Sequence, residues 1–231
     1  MQNLAMIPAL GCDGRLYAEI VPRLSEVVKP FSIVVDRHEM SSCAQQVLEK
    51  APEKFIILGT SFGGRVALEV ALAAQDRVQG LVVIGAGAGV AADPSAGLRR
   101  AERSRGAEFE NVVTEMADMV SHLPGPNGPK TRISFITMAH ELGGVLMARQ
   151  SEALAKRLDL WPRLSEITCP SLMLWGKEDQ FSPAADGLKL STALPHARYA
   201  EISECGHFPS LEAPEETADI LLHWLHDAKL I

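Results

Sequence analysis

Short apolar runs alternate with amphipathic helical patterns along most of the chain. The runs are rich in β-branched and aromatic residues, as buried strands are, and the longer stretches between them carry apolar residues at helical spacing. The predicted strands cover residues 4–7, 31–35, 55–58, 81–84, 171–175 and 198–202. The predicted helices cover residues 16–25, 43–50, 64–74, 184–193 and 214–226. This alternation predicts an α/β fold, a mostly parallel sheet of about six strands with helices on both faces.

One interval breaks the alternation. More than eighty residues separate the predicted strands at 81–84 and 171–175, and none of them forms a convincing strand. Helical patterns run instead over residues 98–105, 109–122, 133–142 and 146–158. An unstructured loop of this length is unusual in a compact domain. We therefore predict a core domain of residues 1–92 and 163–231, interrupted by an inserted helical lid over residues 93–162.

The sequence Gly-Thr-Ser-Phe-Gly at residues 59–63 carries the clearest chemical signal. It follows an apolar run and precedes a helical pattern, so Ser61 lies where a strand turns directly into a helix. Such a turn forces strained backbone angles on the serine and leaves no room for side chains two residues away on either side. Gly59 and Gly63 meet this requirement, and Gly64 lets the helix lie close to the sheet. Ser61 is therefore the predicted nucleophile.

A serine hydroxyl is a weak nucleophile and needs a base to accept its proton. His207 lies between the last predicted strand and the last predicted helix, at the carboxyl edge of the sheet, where open parallel sheets build their sites. His38 follows the second predicted strand and is an alternative base at the same edge. His122 and His140 fall in the predicted lid, where they could contact substrate. The remaining histidines are predicted at the opposite edge or on the terminal helix: His196, His223 and His226.

The base in turn needs a carboxylate that holds its tautomer. Asp179 follows the predicted strand at 171–175 through a tight turn and reaches the same carboxyl edge. Glu178 is its near rival, and a turn or capping role is the structural alternative for Asp179. Because a serine, an aspartate and a histidine each come straight after a strand, in this order, the coincidence favours Asp179 as the acid.

These motifs resemble those of the α/β-hydrolase superfamily, and the resemblance covers nearly the whole chain. It rests on the residues at 59–64, on Trp-Gly-Lys-Glu-Asp at 175–179 and on Cys-Gly-His-Phe-Pro at 205–209. The order of the family's catalytic triad maps onto Ser61, Asp179 and His207.

The resemblance also implies an oxyanion hole made of two backbone N–H groups. One belongs to Phe62, directly after the nucleophile, and the other to Leu10, in the loop after the first central strand. Two features depart from the family pattern. Pro8-Ala9 stands where the family usually has His-Gly, and the chain begins almost directly in the first central strand, without the usual hairpin.

Composition narrows the class of partner. The 231 residues are 47% apolar and carry a formal net charge of −7. The densest basic stretch comprises Arg99, Arg100, Arg103 and Arg105, whose spacing with Glu102 predicts a solvated helix face, so nucleic-acid binding has little support. Four cysteines show neither a metal-ligand spacing nor a disulfide framework. With no signal-peptide pattern and no membrane-span pattern, we expect a cytoplasmic protein with reduced thiols, away from membranes.

A serine nucleophile favours acyl transfer to water. We therefore expect a hydrolase of small or medium carboxylic esters that uses no metal and no other cofactor. An adaptable apolar pocket is one use for several side chains of the predicted lid and its surroundings, although packing of the lid is the commoner use. The pocket candidates are Met116, Phe135, Met138, His140 and Phe208. Arg149 and Gln150 are predicted on a solvated helix face, and contact with substrate is the alternative.

Other activities fit the same triad. A lactonase or a thioesterase would use it unchanged, and a C–C bond hydrolase would add polar groups to the pocket to handle a keto acid. A protein of another class, a ligand receptor without catalysis, is also compatible with the fold. The complete triad argues against that last alternative.

Overall fold

The computed structural model describes residues 1–231 as a six-stranded sheet with helices on both faces. The strands are β1 (Gln2–Ile7), β2 (Val28–Ser32), β3 (Phe55–Thr60), β4 (Val78–Ile84), β5 (Ser171–Gly176) and β6 (Ala197–Ile202). The helices are α1 (Val21–Leu24), α2 (Met40–Lys50), α3 (Phe62–Ala73), α4 (Pro94–Arg105), α5 (Phe109–Val120), α6 (Gly128–Leu142), α7 (Gly144–Ala155), α8 (Ala184–Ala193), α9 (Pro209–Glu212) and α10 (Pro214–Asp227). Two 3₁₀ turns, Gly14–Tyr17 and Trp161–Glu166, complete the regular structure.

The strand order is β2-β1-β3-β4-β5-β6, and every neighbouring pair is parallel. Strand β2 lies on one side of β1, and all later strands lie on the other side. The direction in which successive strands are added to the sheet therefore reverses between β1 and β3. In open α/β sheets such a switch point opens a crevice at the carboxyl ends of the strands. The loop after β1 and the residue after β3 flank this crevice. The predicted fold class is confirmed.

Burial explains why these segments form strands. All six residues of β3 and all six of β5 are buried, as expected for central strands covered by helices on both faces. The second strand differs from its prediction at 31–35, because β2 ends at Ser32. Ile33 and Val35 are buried although they lie beyond β2, so their apolar character reflects burial outside the ladder.

The first predicted helix, at 16–25, is also different in the structure. It divides into the 3₁₀ turn Gly14–Tyr17 and the short helix α1. Pro22 lies in the first turn of α1, where its missing N–H leaves no bond unmade, whereas inside a continuous helix it would remove one.

Four helices, α4 to α7, fill the interval between β4 and β5, and we call residues 94–155 the helical insertion. Its helices α4 and α7 approach each other closely, since a Cβ added to Gly97 would lie 2.9 Å from the Cβ of Ala155. None of the helices in the structure combines the length and the hydropathy that a membrane span requires. All four cysteines are free thiols.

Candidate active site

Ser61 forms the junction between β3 and α3 with φ 56° and ψ −116°. A positive φ is uncommon for a residue with a side chain, and such strain persists only where neighbouring structure holds it. Here the Ser61 N–H donates to the Ile84 carbonyl at the end of β4 (2.7 Å), and the Ser61 carbonyl accepts from the Arg65 N–H (3.0 Å). These bonds hold the serine at the carboxyl edge of the sheet.

The glycines around Ser61 have a direct steric reason. A Cβ on Gly59 would lie 2.0 Å from the Gly63 oxygen, and a Cβ on Gly63 would lie 1.9 Å from the Ile7 oxygen. Both contacts involve backbone atoms, so no side-chain rotation relieves them. A Cβ on Gly64 would lie 2.7 Å from the Cβ of Ala86, which shows how closely α3 approaches the segment after β4.

Asp179 and His207 form a buried pair. Oδ2 of Asp179 lies 2.6 Å from Nδ1 of His207, and both side chains are 1% exposed. Oδ1 of Asp179 accepts hydrogen bonds from the N–H groups of Phe181 (2.9 Å) and Ser182 (2.8 Å), which orient the carboxylate. Because Nδ1 faces a carboxylate, it carries the proton, and Nε2 is left as the acceptor of the imidazole.

Gly85 shows where the imidazole lies. A Cβ on Gly85 would be 2.9 Å from Cε1 and 3.0 Å from Nδ1 of His207, and its φ is +61°. Gly85 directly follows Ile84, the residue that accepts from the Ser61 N–H. The imidazole therefore reaches from the loop after β6 to the end of β4, beside the junction between β3 and α3.

The free nitrogen of the imidazole is available. Nε2 of His207 is buried without a hydrogen-bond partner, and no hydrogen bond joins it to Ser61 Oγ in the structure. Catalytic hydrogen bonds commonly shorten only when substrate is bound. The rings of Phe181 and Phe208 flank the imidazole at centroid distances of 4.9 and 5.3 Å.

The rival acid and the rival base lie elsewhere. Oε2 of Glu178 accepts from the Cys205 N–H (3.0 Å), and the Glu178 N–H donates to the Cys205 carbonyl (3.0 Å). Glu178 therefore ties the loop after β5 to the loop after β6 and does not contact His207. His38 is exposed.

The two N–H groups predicted for an oxyanion hole are free of partners within their own segments. Phe62 is the first residue of α3, so its N–H has no intrahelical acceptor and lies at the positive end of the helix dipole. Leu10 is buried, and its N–H has no acceptor within the protein. The structure places these groups on the two sides of the switch point.

Gln150, on α7, holds the loop that contains Leu10. Its Oε1 accepts from the Gly11 N–H (2.9 Å), and its Nε2 donates to the Val35 carbonyl (2.8 Å). The prediction that Gln150 belongs to a solvated face is wrong, because the residue is 1% exposed and both ends of its amide are bonded. Arg149, its neighbour, is exposed as predicted.

Glu212 holds the loop that contains His207. Its Oε2 accepts from the N–H groups of Gly206 (2.9 Å) and His122 (3.0 Å), and its Oε1 accepts from the Phe208 N–H (3.3 Å). The residue is 3% exposed. Burial raises the pKa of Glu212, and the three N–H donors oppose that rise.

A cavity of about 510 Å³ opens at Ser61. This volume suits a small or medium ligand. Its walls come from Ser61 and α3, the segment after β4, α4, α7, the 3₁₀ turn that begins at Trp161, the loop after β5, and α8. They include the aromatic side chains of Phe62, Trp161 and Phe181.

The five predicted pocket side chains do not line this cavity. Phe135, Met138 and Phe208 are at most 1% exposed, and the rings of Phe135 and Phe208 contact each other at 6.0 Å. Met116 is buried in the same core. His140 lies outside the core, edge-on to Phe109 and 3.3 Å from Glu110. The apolar members all belong to the hydrophobic core, which is the commoner use of such residues.

The walls of the cavity are partly basic, a feature that was not predicted from the sequence. Arg100 was predicted on a solvated face, but it is half-buried and lines the cavity. Arg65 is 1% exposed and donates to the carbonyls of Ala88 (2.8 Å) and Gly89 (3.0 Å) and to Glu69 (2.8 Å). These bonds hold the segment after β4 against α3.

Local signals exist for only some of the residues that sequence reasoning missed. Gly85 directly follows a predicted strand at the active edge, and Arg65 is a lone cation in the first turns of an apolar helix. Gln150 gives no local signal, because its partners, backbone groups of Gly11 and Val35, lie 139 and 115 positions away along the chain. Glu212 binds two nearby N–H groups, those of Gly206 and Phe208, but its third donor, the His122 N–H, lies 90 positions away. No group of three or more histidine, cysteine, aspartate or glutamate side chains is arranged to hold a metal ion.

A parallel sheet with a serine at a strand-to-helix junction defines the class of α/β hydrolases. A family model described as "Alpha/beta hydrolase family" matches residues 11–220. The chain belongs to this family.

Curated relatives are hydrolases. A 2-hydroxy-6-oxononadienedioate/2-hydroxy-6-oxononatrienedioate hydrolase of Paraburkholderia xenovorans is 31% identical over 197 residues, which cover 74% of this chain and 63% of the relative. The chain thus spans about three-fifths of the length of such relatives. A pimeloyl-[acyl-carrier protein] methyl ester esterase of Nitrosomonas europaea is 24% identical and is matched over 93% of this chain and 92% of its own.

Solved structures share the fold. A thermophilic esterase from Thermogutta terrifontis, solved with malate bound, superposes with a TM-score of 0.89 at 20% identity and covers 99% of this chain and 90% of its own. The enol-lactonase from Burkholderia xenovorans superposes with a TM-score of 0.88 at 19% identity and covers 97% and 91%.

Proposed function

We propose that this protein is a serine hydrolase that cleaves small or medium carboxylic esters through an acyl-enzyme intermediate. The observation that carries the proposal is the strained Ser61 beside the buried Asp179–His207 pair at one edge of the sheet. The cavity of about 510 Å³ at Ser61 would receive the ester.

The geometry supports the following reaction. Ser61 Oγ attacks the ester carbonyl while Nε2 of His207 accepts the hydroxyl proton, and the carboxylate of Asp179 stabilises the imidazolium. The N–H groups of Phe62 and Leu10 donate to the oxygen that becomes negative. The imidazolium then passes its proton to the leaving alkoxide. Water, activated by the same Nε2, releases the acid and restores Ser61.

A second candidate is cleavage of a C–C bond in a keto acid. The relatives named as oxononadienedioate hydrolases motivate it, and the basic side chains of the cavity supply the polar groups that a keto acid would need. This chain spans about three-fifths of the length of those proteins, so we do not propose their particular substrate for it. Lactones and thioesters are alternatives on the same triad.

A fluorophosphonate probe and a substrate panel test the proposal. We expect the probe to label the wild type at Ser61, and Ser61→Ala to abolish labelling and to lower turnover by on the order of 10³-fold or more while the fold is retained. The panel should contain acyl esters, lactones, thioesters and a vinylogous 1,5-diketo acid. Labelling and turnover that survive in Ser61→Ala would overturn the proposal, and a wild type that resists the probe would indicate a receptor.

A further inference from the structure

The cavity at Ser61 carries more positive than negative charge. Four basic residues line it, Arg65, Arg100, Arg157 and Lys189, against two acidic residues, Asp93 and Asp186. The protein as a whole has a net charge of −7, so this local excess runs against the average. A concave site lined by one sign of charge concentrates ligands of the opposite sign.

Arg100 holds free donors in this cavity. Its Nε donates to Ser151 Oγ (2.9 Å), whereas its two terminal nitrogens have no acceptor within the protein. No carboxylate pairs with Arg100, and burial lowers its pKa. A half-buried guanidinium with four unused N–H groups is a ready partner for an oxyanion.

Arg157 lies in the same wall and also lacks an acidic partner. Its guanidinium donates to the carbonyls of Gly89 (2.9 Å), Leu154 (3.2 Å) and Val90 (3.2 Å), all neutral acceptors. Burial lowers the pKa of Arg157 to about 10, and the charges of Arg65 and Arg100 contribute to the shift. The group remains charged at neutral pH without a counter-ion.

The nearby carboxylates are already engaged or face solvent. Glu69 is bonded by Arg65. Asp93 caps the first turn of α4 and pairs with the exposed Arg99. Asp186 is exposed on α8, close in sequence to Lys189, whose ammonium lies over the ring of Trp161 at 4.6 Å. Arg100 and Arg157 are thus left with no neutralising anion from the chain.

We propose that Arg100 and Arg157 form an anion subsite that binds a carboxylate of the substrate. The substrate would then be an acidic ester, such as the half-ester of a dicarboxylic acid, with its ester group at Ser61 and its carboxylate at Arg100. This inference rests on the proposed function and names its substrate class. A guanidinium binds a carboxylate through two parallel hydrogen bonds, which fixes the orientation of the substrate as well as its charge.

A pair of substrates matched in length tests the subsite. The wild type should hydrolyse the 4-nitrophenyl half-ester of glutaric acid with a kcat/KM about tenfold or more above that of 4-nitrophenyl valerate, since hydrogen bonds to charged groups are the strong ones. Arg100→Gln should remove this ratio, and Arg100→Lys should restore part of it. Arg99→Gln, an exposed neighbour outside the cavity, is the matched control and should leave the ratio unchanged. A ratio near one in the wild type, or one that Arg100→Gln preserves, would overturn the proposal.

Binding separates this proposal from the proposed function. Calorimetry on Ser61→Ala, with monomethyl glutarate, methyl valerate and inorganic phosphate as probes, requires no turnover. We expect monomethyl glutarate to bind at least tenfold more tightly than methyl valerate, and Arg100→Gln in the same background to remove the difference. Tighter binding of phosphate than of monomethyl glutarate would overturn the carboxylate proposal and make a phosphate group the ligand of the subsite. Equal binding of both esters would refute the subsite. Hydrolysis that survives Ser61→Ala would refute only the proposed function.

Discussion

At the scale of single residues, two adjacent carboxylates have separate roles. Oδ2 of Asp179 contacts the imidazole, whereas Oε2 of Glu178 accepts from a backbone N–H. An amide can replace Glu178, because its oxygen accepts the same bond. It cannot replace Asp179 without altering the tautomer of His207.

We therefore expect Asp179→Asn to lower kcat/KM by on the order of 10³-fold or more and Glu178→Gln to change it less than about fivefold. The measurement is steady-state hydrolysis of one neutral ester by both variants, after circular dichroism has shown that each is folded. The reverse order of the two effects would make Glu178 the acid.

The placement of the candidate site residues was largely predictable from the sequence. Ser61 and its glycines form one contiguous motif whose steric requirement is local, and Asp179 and His207 each follow a strand. The role of Gln150 could not be predicted in this way. Gln150 binds Gly11, 139 positions away in the sequence, and only the folded chain brings the two together.

At the scale of elements, the prediction succeeds where apolar character and ladder pairing coincide. All six residues of β3 and of β5 are buried, so their apolar runs mark these strands directly. It is less accurate at β2, because Ile33 and Val35 are buried beyond the end of the strand. Apolar character alone also failed to place Phe135 and Met138. Side chains of this kind can line a pocket, but here the packing of the helices buries both in the core.

The short helix α9 joins the His207 loop to the helical insertion through Glu212. Its carboxylate accepts hydrogen bonds from the N–H groups of Gly206 and Phe208, on either side of His207, and from the N–H of His122, just after α5. We expect Glu212→Gln to lower kcat by about tenfold, because an amide nitrogen then faces one of these N–H donors and shifts the loop. Glu216→Gln, at an exposed position of α10, is the matched control.

Glu212→Gln should also change how the free energy of unfolding depends on pH. Burial raises the pKa of Glu212 in the folded protein above its value of about 4.3 in an unfolded chain. Between these two values the folded state keeps a proton that the unfolded state has released, so this group makes the free energy of unfolding fall as pH rises. Urea unfolding across this interval should show a weaker fall for Glu212→Gln than for the wild type. If the wild type and Glu212→Gln showed the same dependence on pH, the pKa of Glu212 would not be raised in the folded protein.

At the scale of the whole molecule, Gln150 connects three distant segments. It joins α7 to the loop after β1 and to the segment after β2 through two hydrogen bonds. Gln150→Met keeps the length of the side chain and removes both bonds, leaving the Gly11 N–H and the Val35 carbonyl without partners. We expect a loss of stability of about 1–3 kcal/mol for each buried group left unpaired, and a fall in kcat of about tenfold or more as the Leu10 N–H loses its orientation.

Arg149→Gln, on the exposed face of the same helix, controls for a general effect on α7. Thermal unfolding and steady-state kinetics on a neutral ester measure the two effects. A Gln150→Met variant that is as active as the wild type would show that the loop after β1 holds its shape without the insertion.

The two hydrogen bonds of Gln150, to the Gly11 N–H and the Val35 carbonyl, link the cavity to the Leu10 loop. Helix α7 supplies both the amide that orients the Leu10 loop and, through Leu154 and Ala155, a wall of the cavity. If the Leu10 N–H is an oxyanion donor as proposed, its orientation depends on the packing of α7 against the sheet. One helix thus carries both a wall of the cavity and the support of the Leu10 loop, so we expect a substitution that displaces α7 to impair ligand binding and hydrolysis together.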